Sequence, residues 1–240
     1  MPETNASTDP SVDSVITSKP TPPSSGVWCR EDERISTASR TPWGKVQTMT
    51  EVASGIWDIS TQGHGGIKLS RARNRGIPAG VRMRGGWYEE DVEWAIVVMI
   101  YRDEFRAYMH RCGHQADHVE RMMTGAARCV RGAMPETYEL ITGIKVRPGE
   151  SSSRDEAQFF ELHKNDWIVV SALRCSEKPG FVVCSARIGG RNSAANTESR
   201  TFLIEADEYA ARSSFGFVVD PMVHPISPIT ISDALAYPGR

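Results

Sequence analysis

The sequence predicts an α+β fold: a mainly antiparallel sheet built from two hairpin-containing units, with helices packed against it. Three observations carry that expectation. Short runs of β-branched and aromatic residues bounded by Gly or Pro recur at Val46 to Thr61 and at Trp167 to Ile188. A single apolar stripe at helical spacing runs from Val119 to Val130. The composition, 40% hydrophobic and 24% charged, is that of a chain able to build a core.

Residues 1–40 are dominated by Ser, Thr, Pro and small polar residues, and Thr17 to Ser25 reads TSKPTPPSS. Such a stretch buries too little apolar surface to offset its ordering entropy. It is expected to be a disordered tail, with the acidic cluster Glu31, Asp32, Glu33 near its end. One α+β domain is expected over 41–225, and a frayed segment over 226–240.

The body starts at Thr41-Pro42-Trp43-Gly44. Val46 to Val52 and Gly55 to Thr61 read as two strands about the turn Ala53-Ser54-Gly55, and Ile67 to Leu69 as a third. Ser70 is placed to cap a short helix that Gly76 and Pro78 end. Tyr88 to Glu93 is polar and compatible with a helix. Trp94 to Tyr101, WAIVVMIY, is continuously apolar. It fits a buried strand or a helix buried on all sides, and periodicity does not separate the two.

Farther along, Val119, Met122, Met123, Ala126, Ala127 and Val130 share one helical face, and Arg121, Arg128 and Arg131 fall off it. A short helix is expected from Pro135 to Gly143 and another from Asp155 to His163. Trp167 to Arg174 and Phe181 to Ile188 form a hairpin about Pro179-Gly180. Thr201 to Ile204 is a strand, Ala206 to Arg212 a helix, and Phe215 to Val219 a last strand. Gly55 to Gly66 (GIWDISTQGHGG) and Gly180 to Gly190 (GFVVCSARIGG) resemble each other. They are either one duplicated unit of hairpin, glycine pair, strand and helix, or two hairpins alike by chance. A duplication predicts that the units share one sheet or face each other.

Several function classes are disfavoured. The longest apolar run, Trp94 to Tyr101, falls far short of a bilayer. The N-terminal residues lack a basic start followed by an apolar stretch. Five cysteines without a CxxC fit reduced thiols in a cytoplasm. A net charge of −2 provides no global basic field for nucleic acid. The expectation is a cytoplasmic protein with no membrane partner.

Three clusters are chemical candidates. The first is the segment from Ser60 to Ser70. His64 stands beside Gly65 and Gly66, on a loop where an imidazole can move protons near neutral pH. Six basic residues and no acidic one follow between Lys68 and Arg84. Ser60, Thr61, Gly65, Gly66, Lys68, Ser70 and Arg71 therefore read as a binding loop for an anion, or as a tight turn beside a solvated basic surface. The second is Trp87-Tyr88-Glu89-Glu90-Asp91. Its carboxylates suit metal ligation or acid–base work, with Trp87 and Tyr88 alongside. The plainer reading is a charged helix start. The third is His110, Cys112, His114 and His118, with the histidines at i, i+4 and i+8 of one helix. Two of these could hold a transition metal, although no paired-cysteine spacing supports it.

Five ordered motifs also suggest a family. They are TPWG (Thr41 to Gly44), GI–ST–HGG–LS (Gly55 to Ser70), GWYEED–WA (Gly86 to Ala95), DWIVVSA (Asp166 to Ala172) and FLIEADEYAARSSFGFVVDP (Phe202 to Pro221). The pattern resembles an uncharacterised family of proteobacterial conjugative plasmids, integrative elements and phages. Where that pattern has a small residue after the acidic triplet, this chain has Val92. The resemblance implies a mobile-element setting and no particular reaction.

Together these readings predict an accessory protein of a mobile genetic element that binds a protein or nucleic acid through a surface around His64. The alternative is a hydrolase of a phosphorylated substrate or nucleic acid. It would use His64, Glu89, Glu90 and Asp91, with Lys68 and Arg71 as anion binders. The cofactor and the oligomeric state stay open. The two readings separate on whether His64 and the acidic triplet meet in a cleft.

Overall fold

Two antiparallel four-stranded sheets organise the chain, one in each of two units that divide after Arg154. The computed structural model describes residues 20, 21, 23, 26–192 and 197–228, and these form an α+β protein.

In the first unit, β1 (Arg40–Thr41) and β2 (Gly44–Lys45) close a small hairpin about Pro42 and Trp43. The sheet follows as β3 (Thr48–Ala53), β4 (Ile56–Ser60), β5 (Gly65–Leu69) and β6 (Trp87–Glu89), hydrogen-bonded in that order. Side chains alternate between the two faces of a strand. Ile56, Ile67, Leu69 and Tyr88 thus face the helices and belong to the main core. Trp57 and Ile59 face the other way and pack with Val46 and Trp87 in a smaller cluster.

The helices are α1 (Arg71–Gly76), α2 (Glu93–Ile100), α3 (Arg102–Arg111), α4 (Ala116–Ala133) and α5 (Pro135–Thr142). The Ser70 hydroxyl accepts from the Arg73 amide at 3.2 Å, which makes it the expected cap of α1. The predicted stripe of α4 is buried at Val119, Met123, Ala126, Ala127 and Val130. Gly143, in the left-handed region at φ 74°, ends α5.

Two expectations change in this unit. WAIVVMIY is a helix: every residue of α2 from Ala95 to Ile100 is buried, with the sheet on one side and α4 on another. An apolar run without an outward face records burial, and burial does not choose between strand and helix. Conversely, Tyr88 to Glu93 is not a helix. Trp87–Glu89 is the edge strand β6, and a turn carries the chain into α2 at Glu93.

Of the expected tail, residues 1–19, 22, 24 and 25 lie outside the described residues. Gly26 to Arg40 pack against the first unit, so structure begins before Thr41. Cys29 and Ile35 rest on the Val46–Trp57–Ile59 cluster. Trp28 stacks on the Arg73 guanidinium at 3.9 Å and meets the Tyr101 ring edge-on at 6.5 Å. The few apolar residues of a mainly polar segment cover the sheet face that the helices leave bare.

The second unit holds β7 (Trp167–Arg174), β8 (Phe181–Ile188), β9 (Ser199–Glu205) and β10 (Val218–Val219), ordered β10-β7-β8-β9. The unit boundary falls in the first turn of α6 (Ser152–Leu162), and α7 (Ala206–Ala210) follows β9. Trp167, Val182, Cys184, Phe202, Ile204 and Phe217 form the core. The hairpin has the expected bounds, and the Trp167 ring lies edge-on to Phe202 at 5.9 Å. Trp167→Ala is expected to cost about 3–5 kcal/mol, as for other buried large aromatics. A chemical-denaturation midpoint measures this, and an unchanged midpoint would refute the packing.

His224 is buried at 7% exposure. Its Nε2 lies 3.0 Å from Glu208 Oε1, and its Nδ1 accepts from the Asp220 amide at 3.0 Å. Ile226, the start of the expected frayed segment, bridges to Phe202, and the Ser227 amide donates to the Thr201 carbonyl at 2.8 Å. Residues 229–240 lie outside the described residues.

The order hairpin, glycine pair, strand, helix occurs in both units, as β3-β4-β5-α1 and as β7-β8-β9-α7. The units do not share one sheet. The fourth strand joins opposite edges: β6 pairs with β5, whereas β10 pairs with β7. The glycine pairs also differ. Gly66 lies inside strand β5, while Gly189 and Gly190 turn the chain at φ 72° and 63°.

Candidate functional site

The site grows out of the turn between β4 and β5. The Thr61 amide donates to the His64 carbonyl at 2.8 Å, and the His64 amide donates to Thr61 Oγ1 at 3.3 Å. Thr61 is buried, so its hydroxyl holds the turn and does not present itself to a ligand. This leaves the His64 side chain 62% exposed at the end of the sheet.

Gly65 and Gly66 bring the acidic segment to that histidine. The Glu90 amide donates to the Gly65 carbonyl at 3.1 Å, and Gly66 pairs with Glu89 across β5 and β6. A Cβ on Gly65 would stand 2.7 Å from Glu90 Oε2 and 2.8 Å from the Ile59 carbonyl. One on Gly66 would stand 2.1 Å from the Tyr88 carbonyl and 2.7 Å from the Trp43 ring. The glycines are thus needed for close strand approach.

The turn after β6 locks itself. Glu93 Oε2 accepts from the Glu89 amide at 3.0 Å, and Glu89 Oε2 accepts from the Asp91 amide at 2.8 Å. His64 Nδ1 then lies 3.9 Å from Glu89 Oε1 and 3.7 Å from Glu90 Oε1. Among the described residues, His64, Glu89 and Glu90 form a group whose donor atoms all lie within 4.8 Å of one another. These separations are too long for hydrogen bonds. They match the roughly 3–4 Å between two ligands of one ion when each bond is about 2.0–2.2 Å.

Glu90 also borders a cleft of about 380 Å³ between the sheet and the helices. Trp94, Phe105, Tyr108 and Met122 give it apolar walls, and Asp58, Ser60 and His114 are polar on its lining. Asp58 is exposed to solvent on one side, yet desolvation by the cleft walls raises its carboxyl above its ordinary value, opposed by the Ile59 amide and reinforced by the charge of Glu90.

The other candidates fall elsewhere. Asp91 is exposed and is not a member of the group. Tyr88 is a core residue whose hydroxyl donates to Asn74 Oδ1 at 2.8 Å, and burial pushes it up to about 12. Ser70 caps α1. Lys68 and Trp87 are cross-strand partners on the face away from the helices, with Lys68 Nζ 4.8 Å from the Trp87 ring and donating to the Gly85 carbonyl. Arg71 is paired with Glu33 at 3.5 Å. Neither Lys68 nor Arg71 lines the Glu90 cleft, because Lys68 is out of phase with Ile67 along β5.

His110, Cys112, His114 and His118 do not share a helix. Gly113, at φ 83°, stands between α3 and α4, so His110 closes one helix, His114 sits in the turn and His118 belongs to the next. His114 and His118 stack at 5.0 Å, and His114 reaches the cleft.

Sequence reasoning missed Asp58 and Trp94. For Asp58 a signal existed. In Ile56-Trp57-Asp58-Ile59-Ser60, strand alternation puts Asp58 on the face of Ile56, the core side, where an acidic residue is unusual.

The first unit is therefore an α+β module with a histidine–carboxylate cluster that shares Glu90 with the lining of an aromatic cleft. Residues 36–164, more than half of the chain, match the family model for a domain of unknown function, DUF7007. The chain belongs to that family. The matched span holds His64, Glu89, Glu90 and the whole cleft. No curated protein and no solved structure matches the chain. No helix among the described residues is long and apolar enough to cross a membrane.

Proposed function

We propose that the protein is a cation-assisted hydrolase of a phosphorylated substrate, with His64, Glu89 and Glu90 as cation ligands and the adjoining cleft as the substrate seat. The convergence of those three donors, with Glu90 shared between the cluster and the cleft lining, carries the reading. No Lys or Arg lines the cleft among the described residues. A phosphate entering beside the Glu90 carboxylate needs a cation to offset the repulsion between them. A divalent ion held by His64, Glu89 and Glu90 would supply that positive charge and would acidify a water bound to it. Asp58 stands on the cleft lining, within reach of a leaving group seated there, and the desolvating walls raise its carboxyl in the direction that favours carrying a proton. Trp94, Phe105 and Tyr108 offer an apolar wall to the organic part of the substrate. The motif order from Thr41 to Pro221 supports a cytoplasmic role on a plasmid or phage.

The exposure of His64, at 62%, favours a second reading in which an accessory protein uses the same surface to recognise a macromolecule. Titration calorimetry with manganese and zinc, followed by assay of an aryl phosphodiester, separates the two. One bound ion and metal-dependent turnover are expected. His64→Ala and Glu90→Gln should each weaken the ion about 100-fold or more, beyond the 10–100-fold typical of outer-shell partners. Their unfolding midpoints should stay near wild type, because both side chains are largely exposed. Ion binding without turnover would favour recognition, and absence of ion binding would refute the hydrolase.

A further inference from the structure

We propose that a basic depression lined by Lys68 of β5, helix α1 and the segment from Asp32 to Arg40 binds the phosphodiester chain of a single-stranded nucleic acid. The depression has a volume of about 740 Å³, and six cationic side chains line it against two carboxylates, Asp32 and Glu33. Both carboxylates are already engaged. Glu33 accepts from the Arg30 and Arg71 amides at 3.2 and 3.0 Å, and Asp32 lies 3.5 Å from Arg30 Nε.

Arg71 is paired with Glu33 at 3.5 Å, and Arg82 and Lys68 are held by carbonyls that leave their charge uncompensated. Arg82 donates to the Ile77 carbonyl at 3.1 and 2.8 Å and to the Arg75 carbonyl at 2.9 Å. Lys68 donates to the Gly85 carbonyl. Carbonyl partners fix direction and leave the full charge for a ligand. Burial holds the Lys68 amine below its ordinary value, a penalty that an anion beside it would relieve. Arg40 and Arg75 are exposed on the same lining.

The cations are spread over a volume far larger than one phosphate, which suits a run of phosphates. A flexible single strand can follow a concave surface that a rigid duplex cannot. The chain's net charge of −2 shows that the attraction is local and does not come from the protein as a whole. This site is distinct from the His64 cluster and does not depend on the reading of that cluster.

The test is fluorescence anisotropy of a labelled oligothymidylate with the full-length protein, with a chelator present so that no ion at His64 contributes. Binding should fall with salt at a slope near −3 on logarithmic axes, at about 0.7 per neutralised phosphate. Arg40→Ala with Arg75→Ala should make the slope shallower by about 1.4 and weaken binding about 10-fold or more at low salt. Arg40→Lys with Arg75→Lys should retain both, and thermal unfolding should be unchanged in all variants. Three results would each overturn the proposal: no binding at low salt, an unchanged slope in the double alanine variant, or displacement of the strand by tripolyphosphate at equal phosphate concentration.

Discussion

Gly66→Ala is expected to destabilise the first unit by about 3–5 kcal/mol, combining a strained backbone with an overpacked site. Gly66 has φ 150°, a region that L residues rarely adopt. Its missing Cβ would meet the Tyr88 carbonyl at 2.1 Å, and Tyr88 belongs to the edge strand that carries Glu89. Backbone cannot yield as a flexible side chain can, so β6 would have to move away from β5. Two readouts check this. The unfolding midpoint should fall sharply, and ion binding should be lost even at temperatures where the variant is folded, because Glu89 ends that strand and Glu90 directly follows it. A variant with wild-type stability would show that the strands are less closely apposed than described.

Glu104→Ala is expected to cost about 3 kcal/mol. Arg73 is 3% exposed, with Nε on the Ser54 carbonyl at 3.0 Å, Nη1 on Glu104, and its guanidinium against the Trp28 ring. Removing Glu104 leaves a buried charge without its carboxylate. The usual penalty for such a break is about 3–5 kcal/mol, and Glu104 is itself 29% exposed, so the lower end applies. Arg73→Met combined with Glu104→Ala should recover most of the loss, since an apolar side chain needs no counter-charge. A denaturant double-mutant cycle measures the coupling. If the double variant is no better than Glu104→Ala alone, Arg73 acts mainly by packing Trp28 and Tyr101, not as a buried ion.

The sequence was legible where a local rule sufficed. The Trp167–Ile188 hairpin, the Ser70 cap and the α4 stripe each follow from turn residues, a capping hydroxyl or a 3.6-residue period. His64 was recognisable because a histidine followed by two glycines is poor packing material. Its meeting with Glu89 and Glu90 was reachable as a hypothesis, since only strand β5, one short α-helix and two single-turn 3-10 helices separate His64 from β6 in the chain. Less legible was the division of labour among the cations. Lys68 and Arg71 stand close to His64 in sequence, yet they line a different depression.

By itself the sequence determined the β3–β4 and β7–β8 hairpins, helices α1 and α4, and the presence of a polar, glycine-bearing loop at His64. These depend on interactions within a few residues, which the chain carries wherever it goes. Only the tertiary structure decided that WAIVVMIY is a helix, because its burial comes from the sheet and α4, neither of which is local to it. The same holds for Asp58, whose carboxyl is raised by surroundings assembled from distant segments. It holds again for the basic depression, where Arg40 meets Lys68 and Arg75 although the chain as a whole is slightly acidic. Net charge sums over a sequence, whereas a binding field depends on which charges a fold brings within a Debye length of one another.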